Sequence, residues 1–392
     1  MHRTRTGLEV LIEDPGMLAA SRVGLLTNFT GITPALGRNV DALRAGGLDI
    51  VALFAPEHGL TGSAQAGESE PSSTDEASGL PVIDTYAARG GLDEVLAAHR
   101  LDAIVFDMQD VGTRYWTYTW SMYDAMAAAA RLGIRFVVLD RPNPLGGVLA
   151  EGPALDRRFA SFVGRTSVRQ RHGLTSGELA RLFNQADIPR EAGRAVQLDV
   201  VPLGGWRRDI AWECTGQPWV MPSPNLPTLD SAYAFAATGL LEGTNVSEGR
   251  GTTRPFELFG APFVDARLIG ELRALELPGV AFRETWFRPT FHKHAGTVAR
   301  GAQLYVTDRE LYRPVRTGLA IVGALARLYP GEFAVLPPVA DADADHAGFP
   351  LDRLWGSDAL RLALESGADT AALLGDADER VDSAYPADVL LY

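Results

Sequence analysis

The tetrapeptide Pro56-Glu57-His58-Gly59 is the most chemically pointed stretch of the chain. It follows the uniformly apolar run Ile50 to Phe54, so its carboxyl group stands at the mouth of a strand with buried faces. Partial desolvation at such a place favours the neutral acid, which suits Glu57 to general acid work. Gly59 lets the backbone turn away sharply. His58 reads equally as an adjacent base and as a structural histidine that holds Glu57 by hydrogen bonding.

Three further stretches are polar and turn-rich: Thr27-Asn28 with Thr30-Gly31, Asp107 to Arg114, and Asp140-Arg141-Pro142-Asn143-Pro144. Asn28 alone reads best as a cap or turn residue. Taken together, the stretches read as a binding edge, since ligand groups gather on such loops. Asp110 and Arg114 fit an Asp–Arg pair that orients a polar substrate better than they fit a metal site. A metal set would combine His58, Asp107 and Asp110. Yet His172 lies in an unrelated context, no HExxH spacing is present, and His292-Lys293-His294 imitates HxH only superficially. No metal or other cofactor is expected. The run Tyr115-Trp116-Thr117-Tyr118-Thr119-Trp120 reads equally as plain core and as a stacking platform for a sugar ring. A second cluster, Glu242 to Arg254, is rich in glycine and charge and lacks the spacing of a P-loop. It is expected to bring Glu248, Arg250 and Arg254 over the strand ends of the first domain, in a cleft between domains.

The elements that must hold these residues are legible. Val23 to Thr27, Ile50 to Phe54, Ala103 to Phe106 and Arg135 to Leu139 are apolar apart from Thr27 and Arg135 at their ends, as strands buried on both faces are. Helical segments, Asn39 to Ala45, Leu92 to His99 and Ser121 to Leu132, lie between them. That alternation predicts an α/β fold of βαβ units with a largely parallel sheet whose carboxyl edge is the ligand edge. Thr175-Ser-Gly-Glu178 is a capping box opening another helix, and Gln197 to Val201 another strand. The Pro-rich stretch Pro218 to Pro227 separates a domain of residues 1–225 from a smaller α+β domain of residues 226–392. In the latter, Leu268 to Leu275 and Val315 to Leu328 are predicted helical, as are a segment capped by Ser357 and one starting at Thr370. The tract Ala340 to His346 reads as a solvated loop.

Composition sets outer limits. The net charge of −13 argues against a nucleic-acid partner, and an anionic small substrate would need a local cluster of arginines. The single cysteine, Cys214, excludes an internal disulfide framework and a cysteine metal site. No apolar run approaches the roughly 18 residues of a membrane span. The N-terminal residues carry no secretory pattern, so the chain as written is expected in the cytoplasm, or outside it if a preceding signal has been removed.

The stretches FAPEHGLTG, DMQDVGTRYWTYTW, DRPNPLGG with EGP, RHGLTSGELA, MPSPNLPT, LLEGTNVSEGRGTTRPFELFGAP and FRPTFHKHAG resemble the exo-β-N-acetylmuramidase family. The resemblance runs from about Val23 to the C-terminus. It implies a Rossmann-like domain joined to a smaller C-terminal one, and release of N-acetylmuramic acid from the non-reducing end of peptidoglycan fragments. It implies Glu57 as the catalytic glutamate, with Asp110, Arg114, Asn143, Glu248, Arg250 and Arg254 around it. Two departures fall at Ile83 to Ala87 and Phe235 to Gly239, where the family usually has other residues, and both bear on the sugar pocket. The expected catalytic set is therefore Glu57, His58, Asp110 and Glu248. Expected to bind the sugar are Asn28, Arg114, Tyr115, Tyr118, Arg141, Asn143, Asn245, Arg250 and Arg254, with Arg114, Arg250 or Arg254 gripping the lactyl carboxylate. The rival readings are a metal-dependent hydrolase and a sugar-binding protein without turnover.

Overall fold

The computed structural model describes residues 3–18, 20, 22–340, 348–374 and 378–392. Most of the Ala340 to His346 tract therefore lies outside the described residues. In chain order the strands are β1 (Val23–Thr27), β2 (Ile50–Ala55), β3 (Ser73–Thr74), β4 (Pro81–Asp84), β5 (Ala103–Asp107), β6 (Arg135–Leu139), β7 (Leu149–Ala154), β8 (Arg169–Arg171) and β9 (Leu198–Val201). They are followed by β10 (Leu258–Ala261), β11 (Val280–Phe287), β12 (Ala299–Val306) and β13 (Glu379–Arg380).

Seven strands form the main sheet in the order β3-β4-β2-β1-β5-β6-β9, parallel except at the edge strand β3. The uniformly apolar strands are what such a sheet requires, because helices cover both faces. Leu25, Leu53, Val105 and Val137 pack on one face with Leu8, Leu11, Val40 and Leu43. Their neighbours Leu26, Phe54, Ile104 and Phe136 point the other way, against Leu96, Met122 and Phe183. Alternation along each strand thus feeds two apolar layers, and the doubly wound α/β architecture follows. The helix Ser176–Ala192 opens with the expected capping box on Thr175.

Three differences from the sequence reading matter. The strand β4, short and begun by proline, escaped the apolar-run criterion. The helix expected from Ser121 begins at Thr117, which puts Tyr118 and Trp120 on its first turns. The strand order reverses between β1 and β5, and in open sheets that switch point is the usual ligand crevice. Here it is filled from within by side chains, as described below.

After the Pro-rich stretch the chain builds a second, three-stranded antiparallel sheet in the order β10-β12-β11, with helices Leu229–Thr238, Ala266–Ala274 and Pro314–Leu328. A third small sheet pairs β13 with β7, so the last residues return to the first part of the chain. Tyr392 completes that return by donating its hydroxyl to Asp140 Oδ2 at 2.7 Å. Burial pushes the Asp140 carboxyl up to about 6 despite that bond and those from Gly177 and Thr175. Among the described residues, no helix is long and apolar enough to cross a membrane.

Candidate active site

Past the end of β2 the chain makes a tight, polar turn. His58 sits at φ +71° and Gly59 at φ +80°, a left-handed pair in which only the glycine is at ease. Backbone bonds hold the strained histidine: its N–H donates to Glu68 O at 2.9 Å, and Gly59 N–H to Pro56 O at 3.0 Å. The His58 ring is engaged as well, with Nδ1 3.0 Å from Ala64 O. This turn aims Glu57 into a cavity of about 600 Å³, a size common for small-ligand pockets. One carboxylate oxygen of Glu57 accepts the Gly67 N–H and the other the Thr117 hydroxyl. A hydroxyl donates or accepts as needed, so Thr117 can hold Glu57 in either proton state.

The cavity walls come from both parts of the chain. The first part supplies Glu57, His58, Glu68, Tyr86, Arg89, Tyr115, Trp116, Thr117 and Phe162; the second supplies Phe235, Glu242, Arg250, Phe256, Phe291 and His292. The aromatic run therefore divides. Tyr115 and Trp116 form cavity wall, whereas Tyr118 is core and spends its hydroxyl on Pro222 O. Tyr86 and Phe235 fall within the two segments that depart from the family pattern, so both departures do reach the pocket.

Below Arg250 lies a buried charge cluster. Glu248 is fully buried, with Lys293 Nζ 2.9 Å, His292 Nδ1 3.1 Å and Arg250 Nε 3.3 Å from its carboxylate. Burial alone would raise its pKa, but the His292 hydrogen bond and the Lys293 and Arg250 charges outweigh that and hold it down at about 2. Glu248 does not line the cavity; it holds Arg250 and His292, which do. Arg250 also donates to Glu242 Oε1 from Nη2 at 2.6 Å and from Nε at 3.1 Å.

The remaining candidates belong to a buried scaffold. Asp107 takes Arg141 in a bidentate pair at 2.6 and 3.0 Å, and Asn39 Nδ2 at 2.7 Å. Asn28 accepts from the Thr30 N–H and hydroxyl. Asp110 accepts from Gly112 N–H and Thr119, with His172 Nε2 at 3.3 Å. Asn143 ties Leu174 O to Leu145 N–H. None of these lines the cavity, and the metal set His58, Asp107 and Asp110 is dispersed among separate partners. Among the described residues no cluster of three or more His, Cys, Asp or Glu side chains has metal-holding geometry. The expectation of one continuous site along four strand ends is corrected: of those four polar stretches, only the one after β2 lines the cavity. Buried charges must be paired, and the switch-point residues pair with one another. In the second loop, Asn245 bonds Glu332 O and Ala334 N–H, and the half-exposed Arg254 pairs with Glu257.

Arg114 is the clearest correction. It is fully buried and donates to Pro153 O, Val168 O and Leu354 O, which leaves it no route to a lactyl group. Burial lowers its pKa to about 10. Arg114→Lys is therefore expected to cost about 1–3 kcal/mol of stability, the scale of lost charge-assisted hydrogen bonds, with substrate preference unchanged. Chemical denaturation of the variant beside its kinetics checks this; normal stability with altered preference is the contrary result.

Sequence reasoning did not single out Glu242, Arg89, Thr117 or Phe162 as pocket residues. Glu242 opened the glycine-rich cluster that was marked, so a signal was present. Arg89, stacked 4.0 Å from the Tyr86 ring centroid and 4.2 Å from that of Phe162, carried no motif.

The chain is similar to known proteins along most of its length. The family described as exo-beta-N-acetylmuramidase NamZ matches it twice, through its N-terminal part at residues 23–230 and its C-terminal part at residues 233–385. The peptidoglycan beta-N-acetylmuramidase NamZ of Bacillus subtilis (strain 168) is 43% identical over 376 residues, covering 95% of this chain and 87% of that protein. Two crystal structures of DUF1343 family proteins from Bacteroides fragilis share the fold. One has a TM-score of 0.81 at 33% identity, covering 93% of this chain and 91% of the other. The second has a TM-score of 0.71 at 25% identity, covering 96% and 94%.

Proposed function

The chain belongs to the exo-β-N-acetylmuramidase NamZ family and is a glycoside hydrolase of peptidoglycan, and from that premise we propose that Glu57 is its general acid. The reaction is the release of N-acetylmuramic acid from the non-reducing end of peptidoglycan fragments. Glu57 protonates the glycosidic oxygen as the bond to the anomeric carbon breaks, and the leaving sugar departs as a neutral alcohol. The observation that carries this is that Glu57, alone among the strand-end carboxylates, opens to a cavity of sugar-binding size and aromatic lining. Gly67 and Thr117 fix its two oxygens, so the proton is presented from one direction.

Specificity is assigned to Arg250. N-acetylmuramic acid differs from N-acetylglucosamine by a lactyl ether bearing a carboxylate, which a protein of net charge −13 repels unless a cation meets it inside the pocket. Arg250 lines the cavity, and its buried Nη1 has no hydrogen-bond partner among the described residues. A guanidinium so held grips a carboxylate where lysine offers only a point charge. Arg250→Lys is expected to weaken muramic acid glycosides by about 1–3 kcal/mol relative to glucosamine glycosides. The check is the ratio of kcat/KM for the two aryl glycosides; a ratio equal to that of the unaltered enzyme rejects Arg250 as the reader. A sugar-release assay on a synthetic β-muramic acid glycoside tests the activity itself, and its persistence in a chelator tests that no metal takes part.

A further inference from the structure

Glycoside hydrolysis with Glu57 as acid leaves one role unfilled: something must act at the anomeric carbon. The sequence nominated Asp110 and Glu248, and neither reaches the cavity. Asp110 is engaged at both oxygens by Gly112 and Thr119. Glu248 is fully buried behind Arg250, His292 and Lys293.

Two carboxylates besides Glu57 do line the cavity, Glu68 and Glu242. Glu68 is exposed on the loop after β2, and among the described residues its carboxylate accepts only the Gln65 N–H, at 3.3 Å. Nothing fixes its direction. Glu242 is different: its side chain is 27% exposed, enough to meet a ligand and too little to wander. It stands in a tight helical turn, Gly239–Gly243, packed from both ends. A Cβ on Gly243 would lie 2.6 Å from Leu351 Cα, and one on Gly239 would lie 2.9 Å from the Tyr115 ring. Lys293 Nζ adds a bond to Leu241 O at 2.8 Å. Arg250 then clamps one oxygen, Oε1, with two N–H groups. Oε2 has no hydrogen-bond partner among the described residues. The result is an oriented carboxylate with one oxygen held and the other available to the pocket that Glu57 enters. Arg250 is raised in pKa by Glu242, Glu248 and Glu57 against the lowering effect of its own burial, so all three carboxylates act on one guanidinium.

We propose that Glu242 is the second catalytic carboxylate, the base that takes a proton from the attacking water; this rests on the reading of Glu57 as general acid. The water oxygen forms a bond to the anomeric carbon while the bond from that carbon to the leaving oxygen breaks. The water's proton goes to Glu242 Oε2 and the proton of Glu57 goes to the leaving oxygen. Atoms and charge balance, and the muramic acid is released with inverted configuration, as the α-anomer.

The experiment has three arms on the full chain. First, the anomer released from an aryl β-muramic acid glycoside is followed by NMR before mutarotation. The α-anomer first supports the proposal; the β-anomer first overturns it, and leaves the Glu57 assignment standing. Second, E242Q is compared with E57Q on glycosides with poor and with activated leaving groups. E242Q is expected to lose about 10²- to 10⁴-fold in kcat on both, because water activation does not depend on the leaving group, whereas the E57Q loss shrinks on the activated one. Near-native E242Q rates beside a crippled E57Q reject Glu242 alone, and near-native rates in both reject the acid assignment too. Third, azide is added to E242A. Restored turnover with formation of an α-glycosyl azide means that the missing group acted at the anomeric carbon and that the variant is folded. Absence of rescue, with substrate binding retained, reduces Glu242 to a positioning partner of Arg250 and overturns the proposal.

Discussion

Glu57→Gln is expected to lower turnover of a β-linked muramic acid–glucosamine disaccharide by about 10²- to 10⁴-fold while leaving the fold intact, the range for removal of a general acid. Glutamine keeps the shape: its Oε1 can still accept the Gly67 N–H, and its Nε2 can donate to the Thr117 hydroxyl, which reverses its role. It has no proton to give to the departing oxygen. The deficit should therefore contract on an aryl glycoside whose leaving group departs as a stable anion. Steady-state kinetics on both substrates, beside a thermal melt of the variant, provide the check. A variant that turns over the disaccharide at close to the native rate removes Glu57 from the acid role.

Glu248→Ala is expected to cost about 3–5 kcal/mol of folding stability, because it strips the counter-charge from buried cations without removing them. Lys293 and Arg250 both lean on that carboxylate, and among the described residues Lys293 has only Leu241 O and Val246 O to fall back on. The same group imposes a pH dependence. Its folded pKa of about 2 lies below its ordinary value of 4.5, so folding binds fewer protons than the unfolded chain there. Its contribution is fully present above about pH 4.5 and is lost as pH falls toward 2. Denaturant unfolding between those limits should give a steeper acid loss for the native protein than for Glu248→Gln, which cannot titrate. A Glu248→Ala protein within about 1 kcal/mol of native stability, or parallel pH profiles, contradicts the cluster's role.

The difference between Glu248 and Glu242 illustrates what could be read in advance. The two lie six residues apart in one glycine-rich loop, identical in type and both near Arg250 in sequence. Motif and spacing favoured Glu248. The segment between β11 and β12 decides otherwise, by bringing His292 and Lys293 against Glu248 and leaving one oxygen of Glu242 unengaged. No local pattern records where a segment more than forty residues away will dock. Arg114 and Arg250 form a second such pair. Both sit in polar, motif-like stretches, but Arg114 is enclosed by the carbonyls of Pro153, Val168 and Leu354 while Arg250 faces the cavity.

What the sequence determined by itself was whatever depends on periodicity and covalent order. Uniformly apolar strands between helices dictate a parallel sheet with two covered faces, because no other arrangement buries both sides of such strands. The place of Glu57 followed too, since a residue just past a strand end lies on the sheet's carboxyl edge whatever else the chain does. Only the tertiary structure decided which polar residues of that edge face a ligand and which satisfy one another. Asp107, at the end of β5, closes the switch point by taking Asn39, which follows β1, at 2.7 Å and Arg141, which follows β6, at 2.6 Å. Glu57 stays open because the chain's second part arrives above it as a wall of Phe235, Glu242, Arg250 and Phe256 rather than as a counter-charge in contact. Pairing of buried charge is a property of three-dimensional neighbours, and residue type alone does not encode it.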